Sequence, residues 1–151
     1  MSSSIRNATA ADLDALVRLL GVLFSIEADF RADPARQRRG LEQMLEDPER
    51  RAVLVAERDG AVIGMATAQL VISTAEGAPS AVVEDVVIEA AERGRGAGRA
   101  LLEAIEAWAR SRGATRMQLL ADRENVAALR FYERMGWRST QLVCLRRGGA
   151  S

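Results

Sequence analysis

Residues 82–102 read VVEDVVIEAAERGRGAGRALL: an apolar run carrying two carboxylates, a loop of alternating arginine and glycine, then the opening turns of a helix. Gly94, Gly96 and Gly98 have no Cβ, so their backbone can take left-handed angles and turn several N–H groups toward one anion. A helix beginning near Ala97 adds its unpaired N–H groups and the positive end of its dipole. Arg93, Arg95 and Arg99 supply further charge. The junction is therefore read as a holder of a phosphorylated ligand.

Two common phosphate loops are excluded by spelling. The Walker loop needs a lysine after its last glycine, and the chain has no lysine. In a dinucleotide fingerprint, GxGxxG, the third glycine would fall on Arg99 counting from Gly94, or on Leu101 counting from Gly96. What remains is Arg93-x-x-Gly96-x-Gly98 between a strand and an amphipathic helix. This pattern resembles the coenzyme A loop of the GNAT superfamily of N-acetyltransferases. A second block, Asn125-x-x-Ala128-x-x-Phe131-Tyr132 continuing Glu133-Arg134-Met135-Gly136-Trp137, is similar to that family's other hallmark, at the expected distance downstream.

Composition bounds the remaining possibilities. With 151 residues, 48% hydrophobic and 28% charged, the sequence reads as one soluble globular domain, 1–151. A formal charge of +0 argues against a dedicated nucleic-acid binder. No run approaches the ~20 apolar residues of a membrane span, and Met1-Ser2-Ser3-Ser4 lacks a signal-peptide core, so a cytoplasmic location is expected. There is no histidine, hence no Ser-His-Asp triad and no histidine-bound zinc, and without lysine there is no Schiff base. Chemistry must come from carboxylates, tyrosine, hydroxyls, arginine and backbone; no metal site is expected. Cys144 is the single cysteine and sits in the apolar run Leu142 to Leu145, which suggests a buried strand thiol.

Taken in order, Ile5 to Ala8 is a short strand, and Thr9 to Asp12 has capping-box spacing ahead of a helix with Leu13, Leu16, Val17, Leu20, Leu23 and Phe24 on one face. Asp33-Pro34 starts a second helix, with Leu41, Met44 and Leu45 on its buried side, and Asp47-Pro48 stops it. Between the two lie Glu27, Asp29 and Phe30, which the resemblance implies overhang the acceptor cleft as substrate contacts, and which by themselves read equally as a solvated acidic turn with one packed aromatic. Ala52 to Arg58 and Ala61 to Ile72 form a hairpin about Asp59-Gly60, and Ser73 to Ser80 is a looser connection. Regular pleating of Val82 to Ile88 would put Val82, Glu84, Val86 and Ile88 on one face, and Val83, Asp85 and Val87 on the other. The helix after the loop buries Leu101, Leu102, Ile105, Trp108 and Ala109, and Arg116 to Ala121 returns as a parallel strand. A last helix carries Phe131 and Tyr132, and a final strand spans Trp137 to Leu145.

The resemblance implies an α/β fold with a mixed sheet: a twisted, mostly antiparallel centre, one parallel strand pair that splays apart, and about four flanking helices. It implies acetyl-CoA as cofactor, its pantetheine arm pairing with the backbone of Val86, Val87 and Ile88. The pyrophosphate would rest on Arg93, Gly94, Arg95 and Gly96, and on Ala97, Gly98, Arg99 and Ala100 in the first helical turn. Asn125, Ala128, Phe131 and Tyr132 would complete the cofactor site. The implied reaction is direct acetyl transfer to a primary amine, here expected to be a small molecule. A protein N-terminus or lysine is a variant within the class, and a non-catalytic acyl-CoA sensor is the reading from another class. An alkylamine of pKa ~10.4 is free base in about one part in a thousand near neutral pH, so a base is needed. Glu84 is the first candidate because it interrupts an apolar strand beside the thioester position, and it would also touch substrate, with Glu27 and Phe30. Asp85 replaces it if a bulge reverses the facing. Tyr132 matches the family's tyrosine, which protonates the departing thiolate; taken alone, a tyrosine at helical spacing beside Phe131 is a core residue. Many relatives dimerise through their late strands, which would place 137–145 at a homodimer interface.

Overall fold

The computed structural model describes residues 3–27 and 31–149. Five strands form one sheet in sequential order: β1 (Ser4–Asn7), β2 (Arg51–Arg58), β3 (Ala61–Ser73), β4 (Ala78–Ile88) and β5 (Arg116–Leu119). The first three pairings are antiparallel, and β4 with β5 is parallel. The parallel pair exists because α3 (Ala97–Ser111) carries the chain across one face between them, as a crossover must. Asp59 and Gly60 turn the β2–β3 hairpin at φ 53° and 78°, the two positive angles that match strand twist.

Two apolar layers hold the sheet. On one face α1 (Leu13–Ile26) and α2 (Pro34–Leu45) lie over Val53, Val55, Met65 and Val87. Leu16 and Leu19 of α1 are fully buried there, each contributing about 1.5–3 kcal/mol. Asp33 starts α2 by accepting from Arg36 N–H, with Pro34 in the first turn. On the other face Leu101, Leu102 and Ile105 of α3 pack on Ala56, Ala66 and Val83, and α4 (Val126–Arg134) adds Phe131 and Tyr132 at the margin. No helix among the described residues is long and apolar enough to cross a membrane.

Three local expectations need correction. β4 begins at Ala78, so the connection read as Ser73 to Ser80 is only the tight turn around Gly77, at φ 65°. β5 ends at Leu119 rather than Ala121. No strand forms over 137–145: after Gly136 the chain has no regular secondary structure, with Leu142 80% and Leu145 89% exposed, and Cys144 is exposed. An apolar run becomes a buried strand only when a neighbouring edge pairs with it, and none does so here among the described residues.

Candidate functional site

The glycine loop is built as a turn into a bare helix end. Gly94 and Gly96 stand at φ 79° and 91°, a region that side chains disfavour. Gly96 caps α3 without a side chain, and the first N–H to bond back is that of Ala100, to Gly96 O at 3.1 Å. The N–H groups of Ala97, Gly98 and Arg99 are thus the orphan donors of the helix. Gly98 has a different role from the expected one. It lies in the helix without a positive φ, and a Cβ there would come 3.2 Å from Phe131 Cζ, so its bareness lets α4 close onto α3. Arg95 pairs with Glu92 at 3.4 Å, Arg99 with Glu103 at 3.6 Å, and Arg93 Nε donates to Ile88 O at 3.3 Å. All three arginines are exposed, and pairs of this kind are weak enough to yield to a phosphate. Glu92 is held more firmly by the well-covered Arg58 at 2.7 Å, which ties the loop to β2.

The sheet opens where the resemblance implied. β4 and β5 pair only over 80–83 with 116–119, so 84–88, including Val86, Val87 and Ile88, has no strand on that side among the described residues. At the point of separation β4 bulges. Ala68 pairs with Val83 and Ala66 with Val86, leaving Thr67 opposite both Glu84 and Asp85. Regular pleating would set Val83 against Val86 and Ile88; the extra residue instead brings all three to the α3 face and leaves Val87 on the α1 face. Asp85 Oδ2 accepts from Thr67 Oγ1 at 2.7 Å, and Asp85 N–H donates back to the same hydroxyl at 3.2 Å. Burial pushes the Asp85 carboxyl above the usual range, the Thr67 bond opposes this, and Glu84 adds to the rise. Glu84 itself is exposed. Both carboxylates line a cavity of about 410 Å³ roofed by Leu20 and Phe24 of α1 and by Leu41 and Met44 of α2.

Tyr132 is half-buried, its ring 5.5 Å from Phe131 and 6.1 Å from Trp137 between centroids. Burial first, then the negative field of Glu27, pushes its phenol up to about 12. Glu27 caps the end of α1. Asn125 spends its Oδ1 on Ala128 N–H at 3.2 Å, capping α4; its amide N–H₂ is the end left for a ligand. Phe30 lies outside the described residues, as does Asp29.

Several cavity residues escape motif reading. Thr67, Gln69, Gln37 and Arg51 line it alongside the carboxylates. The first two left a trace, being polar at alternate positions of an otherwise apolar strand, Met65 to Leu70. Gln37 and Arg51 left none, because only the packing of α2 on β2 brings them to the same space.

Residues 14–137 match the model of the Acetyltransferase (GNAT) family. Over 93% of this chain and 89% of the relative, the sequence is 32% identical to aminoglycoside N(6')-acetyltransferase type 1 of Stenotrophomonas maltophilia. A stretch of 85 residues, 55% of this chain and 28% of the relative, is 41% identical to mycothiol acetyltransferase of Thermobispora bispora. In three dimensions the chain is similar to a crystal structure described as a transcriptional regulator from Bacillus halodurans C-125, with TM-score 0.83 and 26% identity over 97% of this chain and 99% of that one. With the family model running from α1 through α4 and so across the whole opening of the sheet, the chain belongs to the GNAT acetyltransferases.

Proposed function

We propose that this acetyltransferase acts on the primary amine of a small molecule, with acetyl-CoA as donor. The observation that carries the reading is the cavity of about 410 Å³, which lies within the range of small-ligand sites and has two carboxylates on its β4 wall. The residues present suit coenzyme A: left-handed glycines and orphan N–H groups for phosphate, and an unpaired β4 backbone at 84–88 for an amide-bearing arm. When bound, acetyl-CoA would supply an acetyl group activated as a thioester.

Asp85 is the base. Burial raises its pKa, which makes it a better proton acceptor than an ordinary carboxylate, and Thr67 fixes its orientation. Glu84, first choice on sequence, becomes the electrostatic neighbour that keeps Asp85 basic. Tyr132 Oη holds its proton across the working range and donates a hydrogen bond toward the departing sulfur. Complete transfer from a phenol at about 12 to a thiolate of ordinary pKa near 8.5 is uphill by roughly 5 kcal/mol, so Tyr132 polarises more than it protonates. The exposed apolar segment at 142–145 and the outer edge of β5 are complementary in kind, which supports a homodimer in which each copy covers the other.

Incubation with isotopically labelled acetyl-CoA and a mixed pool of amines, metabolites and peptides, followed by mass spectrometry, tests the reading. A labelled small amine that declines with Tyr132→Phe is the expected result. A labelled protein or peptide instead would refute the small-molecule acceptor. Cofactor binding with no product on any member would favour a sensor.

A further inference from the structure

The acceptor cavity carries opposite charges at its two ends. Asp85 and Glu84 stand on β4; Arg51 stands where β2 begins. In the β2–β3 register Arg51 pairs with Gln69, whereas Thr67, the partner of Asp85, pairs with Val53, two residues further along. At about 3.4 Å per residue and about 4.8 Å between strands, the backbone of Arg51 is roughly 12 Å from that of Asp85. Two side chains reaching inward from those points leave room for a short chain or a single ring.

Arg51 is not spent on a carboxylate. Its Nη1 donates to the carbonyl of Gln43 near the end of α2 at 2.7 Å, and it forms no ion pair among the described residues. Arg58, Arg112 and Arg116 all have acidic partners. A guanidinium has five N–H donors in a planar fork suited to oxyanions, and one bond to a carbonyl leaves most of them available. The rest of the cavity's polar lining, Gln37, Gln43, Gln69 and Thr67, is uncharged. A polycationic acceptor would be repelled at this end, and a plain amine would leave the arginine unmatched.

We propose that the acceptor bears an oxyanion, carboxylate or phosphate, in addition to its amine, and that Arg51 selects it by binding that group while the amine lies at Asp85. This rests on the cavity being the acceptor site. A panel of straight-chain amines of equal length tests it, one ending in methyl, one in carboxylate, one in phosphate and one in a second amine. The carboxylate or phosphate member should exceed the methyl member in kcat/KM by about tenfold or more, the worth of one charge-assisted hydrogen bond, and the diamine should fall lowest. Whichever anionic member leads names the group. Arg51→Gln should bring the ratio of anionic to methyl member toward parity, and Arg51→Lys should restore part of it. Transfer to amines with no anionic preference, or an Arg51→Gln loss equal for all four members, would overturn the inference and leave Arg51 as a cap for α2, with the acetyltransferase reading standing. No transfer to any amine, here or in the mixed pool, would sink both.

Discussion

The only tyrosine in the chain offers a titration free of overlap. Raising the pH on the folded protein should ionise Tyr132 near 12, not near the ordinary 10, because burial and Glu27 both disfavour the phenolate. There is no lysine to titrate in the same window, and arginine stays charged throughout. The consequence for stability has a definite sign. With the folded pKa raised, the unfolded chain loses its phenol proton first, so stability is intact below pH ~10 and falls between ~10 and ~12. A two-unit difference corresponds to at most about 2.7 kcal/mol, less where the half-exposed ring keeps water at its edge. Phenolate absorbance in the near ultraviolet measures the titration, tryptophan fluorescence reports whether the protein is still folded, and a guanidinium-unfolded sample gives the reference. Glu27→Gln should lower the folded pKa by a part of the shift, leaving the larger part due to burial. Tyr132→Phe should flatten the alkaline loss of stability. A folded protein whose tyrosine titrates at about 10 would refute both the burial of the phenol and its assigned capacity to keep a proton.

Asp85→Asn should stop turnover yet raise the melting temperature at pH 7, since it removes a carboxylate held against burial; the gain should vanish as the pH falls below ~4, where the unfolded chain also protonates. In the same assay series Glu84→Gln should move the acid limb of the kcat/KM profile to lower pH by relieving the repulsion on Asp85, and an unmoved limb would exclude Asp85 as the titrating base. Asp12 accepts two bonds from Arg6, at 2.9 and 3.0 Å, and one from Thr9 N–H, which hold its carboxyl below the usual range. Asp12→Asn should therefore cost about 1–2 kcal/mol in denaturant melts at neutral pH, discounted because the Arg6 side chain is partly exposed, with the penalty shrinking as pH drops through the carboxylate range. A Cβ on Gly64 would sit 2.6 Å from Ile88 Cδ1 and 3.2 Å from Val87 O, so Gly64→Ala should cost about 1–3 kcal/mol. Adding Ile88→Val removes the closer clash, and the double variant should be less destabilised than the sum of the singles; strict additivity would place the strain elsewhere.

The order of the described elements, the hairpin at Asp59-Gly60, the parallel crossover and the glycine turn into α3 were legible in the chain because each depends on neighbours in sequence: turn residues, helical spacing, caps and a bare helix end. The loop and the block from Asn125 to Trp137 were enough to point to the family. The tertiary structure decided what depends on partners. Asp85 meets Thr67 because β3 leaves that one residue opposite two on β4, a mismatch that no spacing within β4 reveals. Gly98 proved to be a packing glycine since the ring it admits, Phe131, arrives from 33 positions later in the numbering. The apolar run at 142–145 looked like a buried strand on composition, but burial requires an edge to pair with, and none lies beside it among the described residues. Gln37 and Arg51 carried no local signature at all; α2 folding over β2 makes them walls of one cavity. Local sequence thus determined the parts and their order, while facing, protonation and the chemistry of the cavity were set by which distant segments met.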